Sequence, residues 1–169
     1  MLDRVTTKIE RPGVKPSGRS VTILMAEDDE DDCLLVKEAF LESRLINDLR
    51  FVRDGEELMD YLYRRKRYSD RALSPCPGLI LLDLNMPRKD GREALKEIKA
   101  DPGLRSIPVV VLTTSEDEND ILHMYDLGAS SFITKPVTFE ELVRVIRSFG
   151  CYWLEIVELP PKRDKCRQE

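Results

Sequence analysis

Five short apolar runs alternate with five helical patterns between residues 21 and 149 of this 169-residue chain. The runs lie at 21–26, 49–52, 79–82, 108–112 and 131–134. The third and fourth runs are continuously apolar, which is typical of strands that are buried on both faces of a sheet. Strands that alternate with helices form a parallel sheet, and the crossover helices cover both of its faces. The pattern therefore predicts an α/β domain with three layers.

Two segments flank the predicted domain. Residues 1–20 contain two Pro, two Gly and mixed charges, which predicts a flexible arm. Residues 150–169 begin with an apolar segment that includes Trp153 and end in a charged one. We expect the apolar half to pack against a protein surface. The last ten residues are not expected to pack in this way. The predicted organisation is an arm at 1–20, a domain at 21–149 and a C-terminal extension at 150–169.

The overall charge and hydropathy exclude several classes of protein. A net charge of −5 disfavours nonspecific binding to nucleic acid. The longest apolar runs are far shorter than a membrane span, so no membrane association is expected. The start of the chain lacks the basic and then apolar pattern of a signal peptide. We therefore expect a cytoplasmic protein.

The cysteines and the single histidine do not indicate a metal site of their own. The cysteines stand at 33, 76, 151 and 166, and no pair has CxxC spacing. Reduced thiols are the expectation for such a pattern in a cytosolic protein. His123 lies in a predicted helix, and no second His or neighbouring Cys is available to complete a zinc site.

Polar side chains follow four of the predicted strands at the point where each strand ends. Glu27 and Asp28 follow the first strand, Asp83 the third, Thr113 the fourth and Lys135 the fifth. The carboxyl ends of parallel strands meet at one edge of the sheet, where open α/β sheets bind their ligands. We therefore expect these five side chains to lie close together.

The types of these side chains point to phosphoryl transfer. Three neighbouring carboxylates repel one another, which raises the pKa of at least one of them unless a cation intervenes. Carboxylate oxygens together with a backbone carbonyl and waters suit Mg²⁺. The Thr113 hydroxyl and the Lys135 ammonium both donate hydrogen bonds to phosphate-like oxygens. The prediction is that Asp83 attacks phosphorus as the nucleophile, while Mg²⁺ and Lys135 neutralise the developing charge.

The ordered set of motifs resembles the receiver domain of two-component response regulators. The set consists of Glu27-Asp28, Asp83 within Leu-Asp-Leu-Asn-Met-Pro-Arg-Lys-Asp-Gly, Thr113, and Lys135-Pro136. The resemblance spans about residues 21–149. It implies a flavodoxin-like (βα)5 sandwich with strand order 2-1-3-4-5. It also implies that Asp83 receives a phosphoryl group from the phosphohistidine of a histidine kinase, with Mg²⁺ bound.

The resemblance also assigns expected roles to individual residues. Asp28, Asp83 and the carbonyl oxygen of Asn85 are expected to ligate the metal, and Glu27 is expected to act mainly through water. Thr113 is expected to bind a phosphoryl oxygen.

Further expectations concern the fifth predicted strand. The resemblance implies that Lys135 binds a phosphoryl oxygen and that the Lys135–Pro136 peptide bond is cis. Phe132 is expected to swing inward when Thr113 moves toward the phosphoryl group. Phe132 lacks the hydroxyl of Tyr, and an ordinary core position is the alternative role for it.

A narrower resemblance points to the response regulators that partner bacterial phytochromes. It consists of the segment from Asp83 to Gly91, the long connection at 64–77, the run Val-Leu-Thr-Thr-Ser at 111–115 and Tyr-Trp-Leu-Glu-Ile in the tail. The resemblance implies a single-domain regulator that forms a homodimer and signals through altered association. Trp153 either supports that dimer or covers the core of its own chain.

Other functions and roles remain open at this stage. A phosphatase of the haloacid dehalogenase type needs an acid two residues after the nucleophile, where this chain has Asn85. An interaction module that works without phosphorylation is a second alternative. A DNA-binding regulator needs an output domain, for which the residues after the last helix are too few. Because the acid that such a phosphatase needs is absent, the chain is not expected to be an enzyme beyond its own phosphoryl transfer and dephosphorylation.

Two charged runs are interpreted as solvated. Asp29 to Asp32 is expected to be an exposed helix start, with a role as metal ligands as the alternative. Arg64 to Arg67 is expected to be an exposed helix end, with a kinase-docking role as the alternative.

Overall fold

The computed structural model describes residues 21–161, and these form a single five-stranded parallel sheet with the order β2-β1-β3-β4-β5. The strands are β1 (Thr22–Ala26), β2 (Asp48–Val52), β3 (Leu79–Leu82), β4 (Val109–Thr113) and β5 (Ser131–Thr134). Every neighbouring pair is parallel. The predicted fold class and strand order are therefore confirmed. The predicted N-terminal arm at 1–20 and the residues after 161 lie outside the described part of the chain.

Five α-helices connect and follow the strands. They are α1 (Glu30–Glu42), α2 (Gly55–Leu62), α3 (Gly91–Ala100), α4 (Glu118–Asp126) and α5 (Phe139–Gly150). The helices pack on the two faces of the sheet, which gives the three predicted layers. None of the helices within residues 21–161 combines the length and the apolarity needed to cross a bilayer.

Each helix begins directly after a residue whose side chain accepts a hydrogen bond from the first turn. These caps are Asp29, Asp54, Asp90, Asp117 and Thr138. Such caps satisfy backbone N–H groups that have no partner within the helix. Four of the helices begin three to five residues after the preceding strand and α3 begins nine residues after β3, so all five start at the edge where the candidate site lies.

The sheet separates two hydrophobic clusters. Side chains of alternate strand residues point to opposite faces, because the side-chain period of a strand is two. One cluster contains Leu24, Ile80 and Val111 and is covered by buried residues of α2, α3 and α4. The other contains Met25, Leu81 and Leu112 and is covered by α1 and α5. Since β1, β3 and β4 are buried on both faces, their sequences are apolar at almost every position.

The chain after α5 continues as a π-helical turn, Cys151–Ile156. Trp153, Leu154 and Leu159 pack against the cluster under α1 and α5. Trp153 therefore covers the core of its own chain, which was one of the two roles considered for it. Tyr152 meets the Trp153 ring edge-on and remains 54% exposed.

The basic run 64–67 is largely paired on its own surface. Lys66 forms an ion pair with Asp60 at 2.6 Å, and Arg67 contacts Glu57. The Arg65 guanidinium lies 4.4 Å from the centre of the Tyr63 ring. These intramolecular contacts differ from a purely solvated helix end, although the side chains of Lys66 and Arg67 stay 74% and 66% exposed.

The structure corrects two of the sequence predictions. Within residues 21–161 no peptide bond is cis, so the Lys135–Pro136 bond is trans. The trans form is the more stable one for X-Pro bonds in general. Cys76 is disulfide-bonded, whereas Cys33 and Cys151 are free. Sequence spacing does not report which cysteines meet in space, so the expectation of four reduced thiols was wrong for Cys76.

Gly91 allows α3 to start directly beneath the end of β3. A Cβ atom at this position would overlap the carbonyl oxygen of Asp83 and would lie 2.8 Å from the Cα atom of Leu84. Its backbone N–H donates to the Leu84 carbonyl oxygen at 2.9 Å. The close approach of these two backbone segments fixes the peptide units on both sides of Leu84.

We predict that Gly91→Ala destabilises the fold by about 2–3 kcal/mol, because backbone rather than a flexible side chain must move. Urea unfolding measures this change. Gly150→Ala is the control, since the three atoms nearest to a Cβ at Gly150 all belong to the flexible side chain of Leu45. Equal stabilities of the two variants would contradict the prediction.

Candidate functional site

Three carboxylates meet where β1 and β3 end. One oxygen each of Glu27, Asp28 and Asp83 lies within 4.8 Å of the others. Glu27 and Asp83 are buried, at 2% and 5% exposure, whereas Asp28 is exposed. The Asp83 backbone N–H donates to the Ala26 carbonyl at 3.0 Å, which holds the two strand ends together. The sheet therefore presents a carboxylate cluster with one side open to solvent.

Lys135 reaches this cluster from the end of β5. Its ammonium contacts Glu27, lies 2.7 Å from Asp32 Oδ2 and lies 3.8 Å from Asp83 Oδ1. Its backbone N–H donates to the Thr113 carbonyl at 2.7 Å, which extends the β4–β5 pairing by one residue. The Lys135 side chain is only 10% exposed. A buried ammonium thus offsets part of the negative charge of the carboxylates.

Burial raises the pKa values of both buried carboxyl groups. The pKa of Glu27 rises from 4.5 to about 7, mainly through burial and despite its contact with Lys135. Burial also raises the pKa of Asp83, while Lys135 and a hydrogen bond from the Thr113 side chain oppose this. The direction of both shifts is the expected one, but the sequence prediction named repulsion between the carboxylates as the cause. The main cause is burial, and repulsion between the carboxylates contributes less.

Thr113 completes the group at the end of β4. It is fully buried, and it lies close enough to Asp83 for its side chain to oppose the rise in the pKa of that carboxyl. The Ser115 backbone N–H donates to Thr113 Oγ1 at 3.4 Å. The structure therefore brings together Glu27, Asp28, Asp83, Thr113 and Lys135, as the sequence predicted.

The loop between β3 and α3 carries Asn85, whose side chain is exposed. The far part of this loop is tied to the start of α2. The Gly55 N–H donates to the Lys89 carbonyl at 2.9 Å, and Arg88 forms an ion pair with the fully buried Asp54. Arg88 has a left-handed backbone conformation with φ 62°. These contacts hold the loop that leads from Asp83 through Asn85.

Phe132 belongs to β5 and packs on one of the two hydrophobic clusters. It is half-buried, and the cluster is the one under α2, α3 and α4. Its backbone N–H donates to the Tyr125 hydroxyl at 3.2 Å. The link from Tyr125 of α4 to β5 was not predicted, because nothing in the sequence pairs a helix hydroxyl with a particular strand amide.

A second unpredicted network connects α3 to α4 beside Thr113. Arg92 donates from Nε and a terminal nitrogen to the two carboxylate oxygens of Asp120. The Ser115 hydroxyl donates to the same carboxylate at 2.9 Å. A bidentate pair of this kind has a fixed geometry. Through the Ser115 hydroxyl, the Arg92–Asp120 pair restrains the segment that follows Thr113.

Asp32 is the residue of the acidic run that the sequence assigned wrongly. It was expected in a solvated helix start, yet its carboxylate contacts the buried Lys135. A sequence shows the acids of the first helical turn, but it does not show which of them faces the ammonium of a distant strand.

The donor set of the cluster suits a hard divalent cation. Glu27, Asp28 and Asp83 each offer a carboxylate oxygen within the same small volume. Oxygen ligands of this type are those that Mg²⁺ and similar ions prefer. A cation there would also relieve the repulsion among the carboxylates.

Residues 23–147 match the response regulator receiver domain family, and the chain belongs to this family. It is a response regulator, and the family is not one of metabolic enzymes. Response regulator Rcp1 of Synechocystis sp. is 44% identical over 138 residues, which cover 82% of this chain and 92% of Rcp1.

Solved structures of response regulators share the fold. The Mn²⁺-bound form of Rcp1 has a TM-score of 0.76 at 42% identity and covers 83% of this chain and 99% of that one. The phosphorylated cyanobacterial phytochrome response regulator RcpA has a TM-score of 0.78 at 43% identity, with 85% and 100% coverage. A response regulator in red light signaling of R. palustris has a TM-score of 0.80 at 40% identity, with 83% and 99% coverage.

We predict that Glu27→Gln flattens the pH dependence of stability in metal-free buffer. The folded pKa of Glu27, about 7, exceeds its ordinary value of 4.5. Its contribution to stability is therefore complete below pH 4.5 and is lost as the pH rises through 7. We expect the wild-type free energy of unfolding to fall by about 2–3 kcal/mol across this range from Glu27 alone.

Urea unfolding in EDTA measures this fall when it is carried out from about pH 3.5 to about pH 8, about one unit beyond the two pKa values on either side. Glu38→Gln is the control, because Glu38 is an exposed acid on α1. Identical slopes for wild type and Glu27→Gln would contradict the assignment of the effect to Glu27.

Proposed function

We propose that the chain receives a phosphoryl group on Asp83 from the phosphohistidine of a histidine kinase. The observation that carries the proposal is the setting of Asp83: a buried carboxylate that belongs to an acidic cluster and lies 3.8 Å from the Lys135 ammonium. In the transfer, an Asp83 oxygen forms a bond to phosphorus as the phosphorus–nitrogen bond breaks. The electron pair of that bond returns to the imidazole of the kinase.

The residues of the cluster fit a divalent metal, and we propose Mg²⁺. Asp28, Asp83 and the carbonyl oxygen of Asn85 would hold it directly, and Glu27 would act mainly through water. The Mn²⁺-bound structure of the similar protein Rcp1 supports a divalent ion. The bound ion supplies positive charge to the oxygens of the transferring phosphoryl group.

Thr113 and Lys135 are proposed to bind the phosphoryl oxygens. Both already lie near Asp83: the Thr113 side chain opposes the rise in the pKa of this carboxyl, and the Lys135 ammonium lies 3.8 Å from Asp83 Oδ1. Both are buried, so their donors act where water does not screen them strongly. Their role is to orient the group and to stabilise its charge. Hydrolysis of the resulting acyl phosphate would complete the chain's own chemistry and return it to the unphosphorylated state.

The partner is proposed to be a histidine kinase of the bacterial phytochrome type, with the cytoplasm as the place of action. The similarity to RcpA, a phytochrome response regulator, supports this type of kinase. The similarity to a regulator in red light signaling supports it independently. No direct binding to nucleic acid is proposed.

The signal is proposed to leave the site through β5. Thr113 would move toward the phosphoryl group, and Phe132 would move inward in response. Because the Phe132 N–H donates to the Tyr125 hydroxyl, a shift of this strand also acts on α4. Phosphorylation would therefore change the surface formed by α4, β5 and α5.

Output is proposed to come through association of two copies. A groove of about 530 Å³ lies between β5, α5 and the π-helical turn, and its lining includes Ile133, Val145 and Tyr152. Tyr152 is 54% exposed although it is aromatic. Exposed aromatic side chains next to an apolar groove are typical of protein interfaces.

We predict that Asp83→Asn abolishes labelling by acetyl phosphate, because the neutral amide lacks the carboxylate oxygen that attacks phosphorus. Phosphate-affinity electrophoresis measures the labelling. EDTA is expected to abolish labelling of the wild type as well, since the metal would be removed. Asp90→Asn is the matched control, because Asp90 lies in the same loop and Asn retains its capping function. Undiminished labelling of Asp83→Asn would overturn the assignment.

We predict that Tyr152→Lys shifts a homodimer toward monomer, because a charge would enter the apolar contact. Light scattering with size-exclusion chromatography, with and without beryllofluoride and Mg²⁺, measures the mass. Leu73→Lys is the control, since Leu73 is 65% exposed and does not line the groove. A wild type that stays monomeric under both conditions would contradict the proposal of a dimer.

A further inference from the structure

Lys135 is bound by a carboxylate that does not belong to the proposed metal cluster. Its ammonium lies 2.7 Å from Asp32 Oδ2 and 3.8 Å from Asp83 Oδ1. The first distance is that of a charge-assisted hydrogen bond, and the second is too long for a hydrogen bond. The ammonium therefore donates to Asp32 and Glu27, and only approaches the proposed acceptor.

The start of α1 places Asp32 next to Lys135. The Asp29 side chain accepts hydrogen bonds from the backbone N–H groups of Asp31 and Asp32, at 2.8 Å and 3.2 Å. This cap fixes the first turn directly after β1. Helical side chains tilt toward the N-terminus of their helix. The Asp32 carboxylate is thereby directed back toward the sheet edge, where Lys135 ends β5.

The two carboxylates that bind Lys135 are not equivalent. The Glu27 side chain is 2% exposed, so an ammonium that left it would leave a buried charge without its counter-ion. The Asp32 side chain is 35% exposed, so water can replace the ammonium there at a much lower cost. When Lys135 turns toward a new acceptor, Asp32 is therefore the partner it gives up.

We propose that Asp32 is a positioning residue that holds Lys135 back from Asp83 in the unphosphorylated chain. Asp32 competes with the phosphoryl group for the same ammonium and so lowers the stability of the phosphorylated state. This inference rests on the proposed function, because it requires that Lys135 binds a phosphoryl oxygen on Asp83. The inference assigns to Asp32 of α1 an influence on the free energy of the phosphorylated state.

The consequence is a coupling between Asp32 and phosphoryl binding that passes through Lys135. Neutralising Asp32 removes the competing acceptor and leaves Glu27 in contact with the ammonium. Less free energy is then needed to turn Lys135 toward the phosphoryl oxygens. A coupling that acts through one side chain disappears when that side chain is removed, which a double-mutant cycle detects.

The test is an equilibrium titration of the full chain with beryllofluoride in the presence of Mg²⁺, followed by NMR. Beryllofluoride serves as a mimic of the phosphoryl group on Asp83. Asp32→Asn is expected to lower the apparent dissociation constant about three- to ten-fold, between the effects typical of exposed and buried ion pairs. In a Lys135→Met background, the same substitution is expected to have no effect.

Asp31→Asn is the matched control, because it removes one exposed acid from the same helical turn. It is expected to leave the dissociation constant unchanged, since no contact joins the side chains of Asp31 and Lys135 in the described structure. Equal tightening by Asp31→Asn and Asp32→Asn would overturn the inference in favour of a general effect of charge. Persistence of the Asp32→Asn effect in the Lys135→Met background would overturn it as well.

The titration also separates the two proposals. If wild type does not bind beryllofluoride, the proposed function fails. If wild type binds it and Asp32→Asn binds it with the same dissociation constant, the proposed function stands and the role of Asp32 is wrong. The exposure of Asp32 makes loss of the fold unexpected for this variant, and far-ultraviolet circular dichroism checks that α1 remains intact.

Discussion

The buried contact between Lys135 and Glu27 is the interaction on which the site depends. The two residues are separated by 108 positions and belong to the ends of β5 and β1. The buried carboxylates of Glu27 and Asp83 could not both remain charged there without a nearby cation, because burial penalises the charged form of each. Lys135 supplies that charge from the opposite side of β3 and β4. The parallel order of the strands is what allows it to reach Glu27.

The backbone around Asp83 is held independently of these charges. Gly91 brings α3 against the Leu84 peptide, and the Asp54–Arg88 pair ties the far end of the loop to α2. Rigid elements on both sides therefore fix where the Asp83 carboxylate lies. By contrast, Lys135 has several acceptors within reach, and it can change partners without a change of fold. The site thus combines a fixed carboxylate with a movable counter-ion.

Much of this arrangement follows from local patterns in the sequence. The apolar runs predicted the strands, the resemblance to receiver domains implied their order, and the polar residues after the strands predicted which side chains meet. Other features depend on distances that a sequence does not contain. Asp32 was assigned to solvent, Cys76 was expected to be reduced, and the bond before Pro136 was expected to be cis. The hydrogen bond from Phe132 to Tyr125 was also missed, since a strand amide carries no sequence signal of its partner.

The sequence was sufficient to identify the fold class, the edge of the sheet that carries the site and the residues gathered there. It could do so because the periodicity of apolar residues indicates which segments are buried strands and which are helices. How the Lys135 charge is shared among the carboxylates depends instead on the folded arrangement of the strands and α1. Whether Lys135 contacts Glu27, Asp32 or Asp83 depends on differences of about an ångström between acceptors from three separate elements. Hydrogen bonds are sensitive to such differences, and composition and spacing are not.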